Sequence, residues 1–151
     1  MPVQSPTHSP ILLVEDNADD EALTLRAFAR AGFANRIVVV RDGREALDWL
    51  FCLGAYSTRS DDDLPSLVIL DLNLPKIDGL GVLRALRDDP RTALLPVVVL
   101  TSSAEERDLL ESYRSGCNGY VQKPVDFSEF VRAVHALGDF WLLLNRRPGS
   151  S

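Results

Sequence analysis

Apolar positions along the chain fall into two alternating rhythms. Short unbroken runs occur at Ile11-Leu12-Leu13-Val14, Ile37-Val38-Val39-Val40, Leu67-Val68-Ile69-Leu70 and Val97-Val98-Val99-Leu100, with a weaker one at Gly119-Tyr120-Val121-Gln122. Each is too short for a helix. Unbroken rather than alternating apolarity implies that both faces of the strand are covered, as in parallel sheets between helices. The longer segments between them carry helix starts. Asn17 with Asp20, Asp42 with Glu45, Ser103 with Glu106 and Asp126 with Glu129 each set a capping side chain three residues before an acid. Gly32 and Gly116 supply stops. Helical spacing is read at Ala22, Leu25 and Ala29, and again at Phe127, Phe130, Val131, Val134, Leu137 and Trp141.

The order βαβαβαβαβα with right-handed crossovers predicts an α/β fold, a parallel sheet with helices on both faces. Five strands and five helices suit a flavodoxin-like doubly wound sheet of order 2-1-3-4-5. Residues 1–9, rich in Ser, Pro and Thr, read as a disordered tail, 10–144 as one domain and 145–151 as a C-terminal tail. The polar stretch Ala55–Ser66 is longer than most helix-to-strand connections.

Composition narrows the function classes. A chain of 151 residues predicts one domain, and a net charge of −6 argues against a nucleic-acid footprint, which needs a basic stripe. No apolar run approaches the roughly 20 residues that span a bilayer, and no leader pattern opens the chain. Cys52 and Cys117 have no paired spacing and read as reduced thiols, so the expected location is cytoplasmic. His8, His135 and the run Asp61-Asp62-Asp63 carry no motif context and read as ordinary surface groups.

In doubly wound sheets the ligand site lies beyond the carboxyl ends of the strands, where the strand order reverses. That point lies between the first and third strands, which end at Glu15-Asp16 and Asp71. Three carboxylates therefore converge, with Lys123 after the fifth strand as their cation and the Thr101 hydroxyl ending the fourth. Clustered carboxylates oppose one another's ionisation unless a cation joins them, and all-oxygen ligands favour magnesium. Asp16 and Asp71 would bind Mg2+ directly, Glu15 through water, and the Asn73 carbonyl would complete the set. A carboxylate is also a competent nucleophile toward phosphorus. Lys123, Thr101 and the metal would then neutralise charge on the equatorial oxygens.

The strings ILLVEDN (11–17), LVILDLNLPKIDG (67–79), VVVLTSS (97–103) and GYVQKP (119–124) resemble the response-regulator receiver family in order and spacing. The resemblance implies that Asp71 is the phosphoacceptor and that Glu15 and Asp16 are the acidic pair. It also implies that Thr101 and Lys123 contact the phosphoryl group, and that Tyr120 rotates with Thr101 on activation. LDLNLPKIDG, the long loop before it and DFWL (139–142) look like the small regulators that partner bacterial phytochrome kinases. The expectation is a single-domain regulator of a two-component phosphorelay, not an enzyme beyond its own phosphorylation and dephosphorylation. Its expected partners are a sensor histidine kinase and a histidine phosphotransferase or other downstream protein. A homodimer through Phe140, Leu143 and Leu144 is also expected, because the last helix turns are apolar all round.

Two rival readings share parts of this pattern. A haloacid-dehalogenase-like phosphohydrolase would use Asp71 as nucleophile but needs a second acid two residues later, where Asn73 stands. A flavodoxin-type electron carrier needs donors in the first turn, where the chain reads EDNAD.

Overall fold

The computed structural model describes residues 9–33, 35–60, 63–123 and 126–138. Five strands alternate with five helices: β1 (Ile11–Val14), α1 (Ala18–Ala31), β2 (Ile37–Val40), α2 (Gly43–Phe51), β3 (Leu67–Leu70), α3 (Gly79–Asp88), β4 (Val97–Thr101), α4 (Glu106–Arg114), β5 (Gly119–Gln122) and α5 (Phe127–Gly138). The sheet runs β2-β1-β3-β4-β5 with every pair parallel, as the sequence pattern predicts. Leu12 pairs with Val38 on one side and Val68 on the other, so β1 lies one strand in from the β2 edge. β1, β3 and β4 are buried throughout, which accounts for their unbroken apolarity; the edge strands β2 and β5 are mostly half-buried.

Alternate strand residues feed two cores. Leu12, Val14, Val68, Leu70, Val97 and Val99 meet α2 and α3 through Leu47, Leu50, Val82, Leu83 and Leu86. On the other face Ile11, Leu13, Leu67, Ile69, Val98 and Leu100 meet Ala27 and Phe28 of α1 and Phe130 and Val134 of α5. Burying each such aliphatic side chain contributes about 1.5–3 kcal/mol, so the two layers clamp the sheet from both faces.

Helix ends follow the capping logic with two corrections. Asn17, Asp42 and Asp126 accept from the backbone N–H of Asp20, Glu45 and Glu129, as expected. α4, however, starts at Glu106 with Glu105 at its cap position, and Ser103 sits one turn earlier. Its hydroxyl donates instead to Asp108 (2.5 Å) and accepts from the Glu105 N–H. The second correction concerns α1. Ala22 and Ala29 are exposed, and the buried face is Thr24, Ala27 and Phe28, with Leu25 half-buried. A threonine can lie inward because its hydroxyl donates to the Asp20 carbonyl at 2.8 Å.

The connections are held by arginines. In the long stretch before β3, a 3₁₀ turn at Gly54–Tyr56 leads to Arg59, whose guanidinium stacks 3.6 Å over the Trp49 ring. Arg59 also donates to the carbonyls of Trp49 and Asp63, and Asp63 pairs with Arg36. Arg87 at the end of α3 donates to the carbonyls of Ala93, Leu95 and Gly116 and to the Asn118 side chain. Gly116 takes φ +100°, as a stop after α4 requires. His135 packs its ring 6.0 Å from Phe33, a contact the sequence reading lacked. Among the described residues no helix is long and apolar enough to cross a membrane.

Candidate functional site

The strand ladder carries on one residue beyond the strands and thereby fixes the site. Glu15 N–H donates to Val40 O (3.0 Å), Asp71 N–H to Val14 O (3.1 Å) and Lys123 N–H to Thr101 O (2.6 Å). Neighbouring strand ends thus place Glu15, Asp71, Thr101 and Lys123 at one mouth. Oxygens of Glu15, Asp16 and Asp71 all lie within 4.8 Å of one another. Lys123 Nζ lies 2.9 Å from Glu15 Oε1, 2.8 Å from Asp20 Oδ2 and 3.4 Å from Asp71 Oδ2.

Burial sets the electrostatics. Glu15 is 1% exposed and Asp71 7%, whereas Asp16 is open to solvent. Burial, with Asp71 beside it, pushes the Glu15 carboxyl up to about 7 even though Lys123 pulls the other way. Burial alone would lower the Lys123 ammonium. Its hydrogen bonds to Asp20 and Glu15, together with the charge of Asp71, outweigh that and hold it above the ordinary lysine value. The lysine therefore stays charged while burial draws Glu15 toward its protonated form. Three oxygen donors, one of them at the solvent edge, fit a hard divalent cation, which would free Glu15 from that proton.

Access is through a groove of about 460 Å³ lined by Asp16, Asn73, Leu74, Pro75, Asp78 and Asp108. Asn73 N–H donates to Asp71 Oδ1 at 3.2 Å, which brings residue 73 to the same mouth. The loop beyond Asp71 folds back because Gly79 permits it. A Cβ there would lie 2.3 Å from the Asp71 carbonyl oxygen, and its N–H donates to Leu72 O.

Thr101 is fully buried, and its Oγ1 accepts from the Ser103 N–H at 3.3 Å. The half-buried Tyr120 hydroxyl donates to the Ser103 carbonyl at 3.3 Å. Thr101 and Tyr120 thus meet at Ser103, which the sequence reading took for a simple cap.

The other residue missed was Asp20. In α1, Asp20 stands one turn before Thr24 and two before Ala27, on the true buried stripe. Placing the stripe at Ala22, Leu25 and Ala29 rotated the helix and turned Asp20 away. Its backbone N–H closes the Asn17 cap while its side chain takes Lys123, so the capping role and the site role coexist. The expected dimer residues Phe140, Leu143 and Leu144, like Trp141, His8, Asp61 and Asp62, lie outside the described residues.

A family profile described as response regulator receiver domain matches residues 11–135. The chain is 45% identical over 139 residues to the probable methanogenesis regulatory protein FilR2 of Methanothrix harundinacea, covering 92% of this chain and 87% of FilR2. It is 36% identical over 132 residues to the response regulator Rcp1 of Synechocystis, covering 87% and 88%. The solved Mn2+-bound form of Rcp1 superimposes with a TM-score of 0.81 at 34% identity, over 93% of this chain and 99% of that one. The phosphorylated cyanobacterial phytochrome response regulator RcpA superimposes with a TM-score of 0.83 at 39% identity, over 94% and 99%.

Proposed function

The chain belongs to the response regulator receiver domain family, with phytochrome response regulators among its relatives, and from that premise we propose that it accepts a phosphoryl group on Asp71 from a sensor histidine kinase. The observation that carries this reading is the contact of a buried lysine, Lys123, with a buried carboxylate, Asp71, at the mouth of an acidic cluster.

An Asp71 carboxylate oxygen attacks phosphorus, a P–O bond forms and the P–N bond of the phosphohistidine breaks. The departing imidazole keeps the electron pair and takes up a proton from water. Lys123 supplies a positive charge beside the accepting oxygen. Thr101 Oγ1, which already accepts from Ser103, keeps its own hydrogen for a phosphoryl oxygen. Glu15, Asp16 and Asp71 would hold Mg2+, with the Asn73 carbonyl beside them; when bound it neutralises charge on the transferring group. Asn73, an amide two residues past the nucleophile, has no proton to give a leaving group, which supports a regulator over a phosphohydrolase.

The signal then leaves through Thr101 and Tyr120. Drawing the Thr101 hydroxyl toward the phosphoryl group pulls on Ser103, and the Tyr120 hydroxyl is bound to that same residue. α4 exposes Leu110 and Tyr113 nearby, a surface suited to a downstream protein or a second copy. Similarity to the phytochrome response regulator RcpA supports a phytochrome-type kinase as the donor.

The test is Asp71→Asn, which keeps size and shape but removes the nucleophile. With a phosphohistidine kinase or a small phosphoramidate donor, the wild type should gain hydroxylamine-labile phosphate and the variant none. Equal label on the variant refutes the assignment.

A further inference from the structure

We propose that Asp20 is a holding residue for Lys123: in the resting protein it draws the ammonium toward α1 and so sets how readily the site takes and keeps a phosphoryl group. The inference rests on the reading of Asp71 as acceptor and adds a residue to that site.

Lys123 Nζ has three hydrogens and faces three carboxylates. Its shortest contact, 2.8 Å, is to Asp20, and its longest, 3.4 Å, is to Asp71. The first is a charge-assisted hydrogen bond of ordinary length; the second lies beyond that range. The lysine is therefore displaced from the group it is to serve. Glu15 and Asp71 belong to the cluster able to hold a cation, and Asp20 does not. Its claim on Lys123 thus persists when the other two carboxylates turn to a metal.

Asp20 cannot follow the lysine inward, because α1 anchors it. Its N–H is bound to Asn17 Oδ1 and its carbonyl accepts from the Thr24 hydroxyl. Its side chain is 35% exposed, so water can receive it once the lysine leaves. The contact is consequently strong enough to bias Lys123 and weak enough to be given up. A phosphoryl group on Asp71 competes with Asp20 for one ammonium, and each state of the site is measured against that competitor.

Beryllofluoride, which mimics a phosphoryl group on a carboxylate, gives the test at saturating Mg2+ by 19F NMR titration. Asp20→Asn should bind it roughly three- to tenfold more tightly than wild type, the scale of one charge-assisted bond exchanged for a neutral one. Asp19→Asn removes the same charge from the same exposed helix turn and should stay within about twofold of wild type. The Lys123 ammonium signal in 15N-selective NMR should exchange with water faster in Asp20→Asn and be unchanged in Asp19→Asn. Unchanged or weaker binding by Asp20→Asn overturns the inference. So does tighter binding with an unaltered Lys123 signal, or an equal gain in Asp19→Asn. Failure of the wild type to bind beryllofluoride overturns the acceptor reading itself, and the inference with it.

Discussion

Replacing Gly79 by alanine adds one methyl group at the point where α3 meets the loop that follows Asp71. That Cβ would sit 2.3 Å from the Asp71 carbonyl oxygen, 2.6 Å from Leu72 Cα and 3.0 Å from the Asp71 carbonyl carbon. All three are backbone atoms, so no side chain can swing aside. Ordinary contact begins at 3.4 Å, so α3 or the loop must retreat by about 1 Å. Overpacking of this kind costs about 1–3 kcal/mol, and in a domain of this size each kcal/mol lowers Tm by about 2–4 °C. The Asp71 carboxylate moves with its backbone, away from Lys123 and Glu15. A misplacement of about 1 Å slows a positioned reaction by about 100-fold. Melting curves by circular dichroism and the rate of labelling from a phosphoramidate donor read both effects. Gly119→Ala is the control, since its Cβ would meet only Val98 side-chain carbons, at 3.6 and 3.8 Å, which is ordinary contact. A Gly79→Ala protein that melts and labels like wild type refutes the reasoning.

Two further predictions concern stability. In chelator-treated buffer, Glu15 binds its proton more tightly folded than unfolded, because burial raises its pKa from 4.5 to about 7. Its contribution is therefore complete below pH 4.5 and is lost as pH rises to about 7, amounting to about 3 kcal/mol at 1.36 kcal/mol per unit. Urea midpoints should fall across that window and Glu15→Gln should flatten the fall; an unchanged slope in the variant rejects the assignment. Arg87→Met strips the guanidinium from the carbonyls of Ala93, Leu95 and Gly116. It should cost about 3 kcal/mol by urea unfolding, and a loss under about 1 kcal/mol would show that these bonds hold little.

The sheet and its site were legible in the sequence for the same reason. Strands covered on both faces must be apolar at every position, so the first polar residue after each run marks a carboxyl end. Glu15, Asp71 and Thr101 are those residues, Lys123 directly follows the weaker edge run that ends at Gln122, and strand order then brings the four together. Asp20 escaped because its place depends on the rotation of α1 about its own axis. Apolar spacing alone points to Ala22, Leu25 and Ala29 and passes over Thr24, which is buried with its hydroxyl satisfied within the helix. Arg87 escaped for a different reason. Its acceptors are mostly loop carbonyls, which every residue owns and no residue type signals. Ser103 was seen as a cap because the start of α4 shifts by two residues when Asp108 takes its hydroxyl.

Lys123 comes from the last strand, and β5 joins the sheet only along β4. On the ribosome the chain therefore presents its carboxylates long before their counter-ion has been made. A sheet closed over Glu15 and Asp71 at that stage would bury charge without a partner, at a cost of several kcal/mol. Until β5 emerges, the β4 edge has no strand partner on that side. Closure of the sheet and arrival of the cation at the mouth are then a single event. On the proposed reading, a half-made chain lacks the cation its acceptor needs, and gains it with the strand that closes the sheet edge.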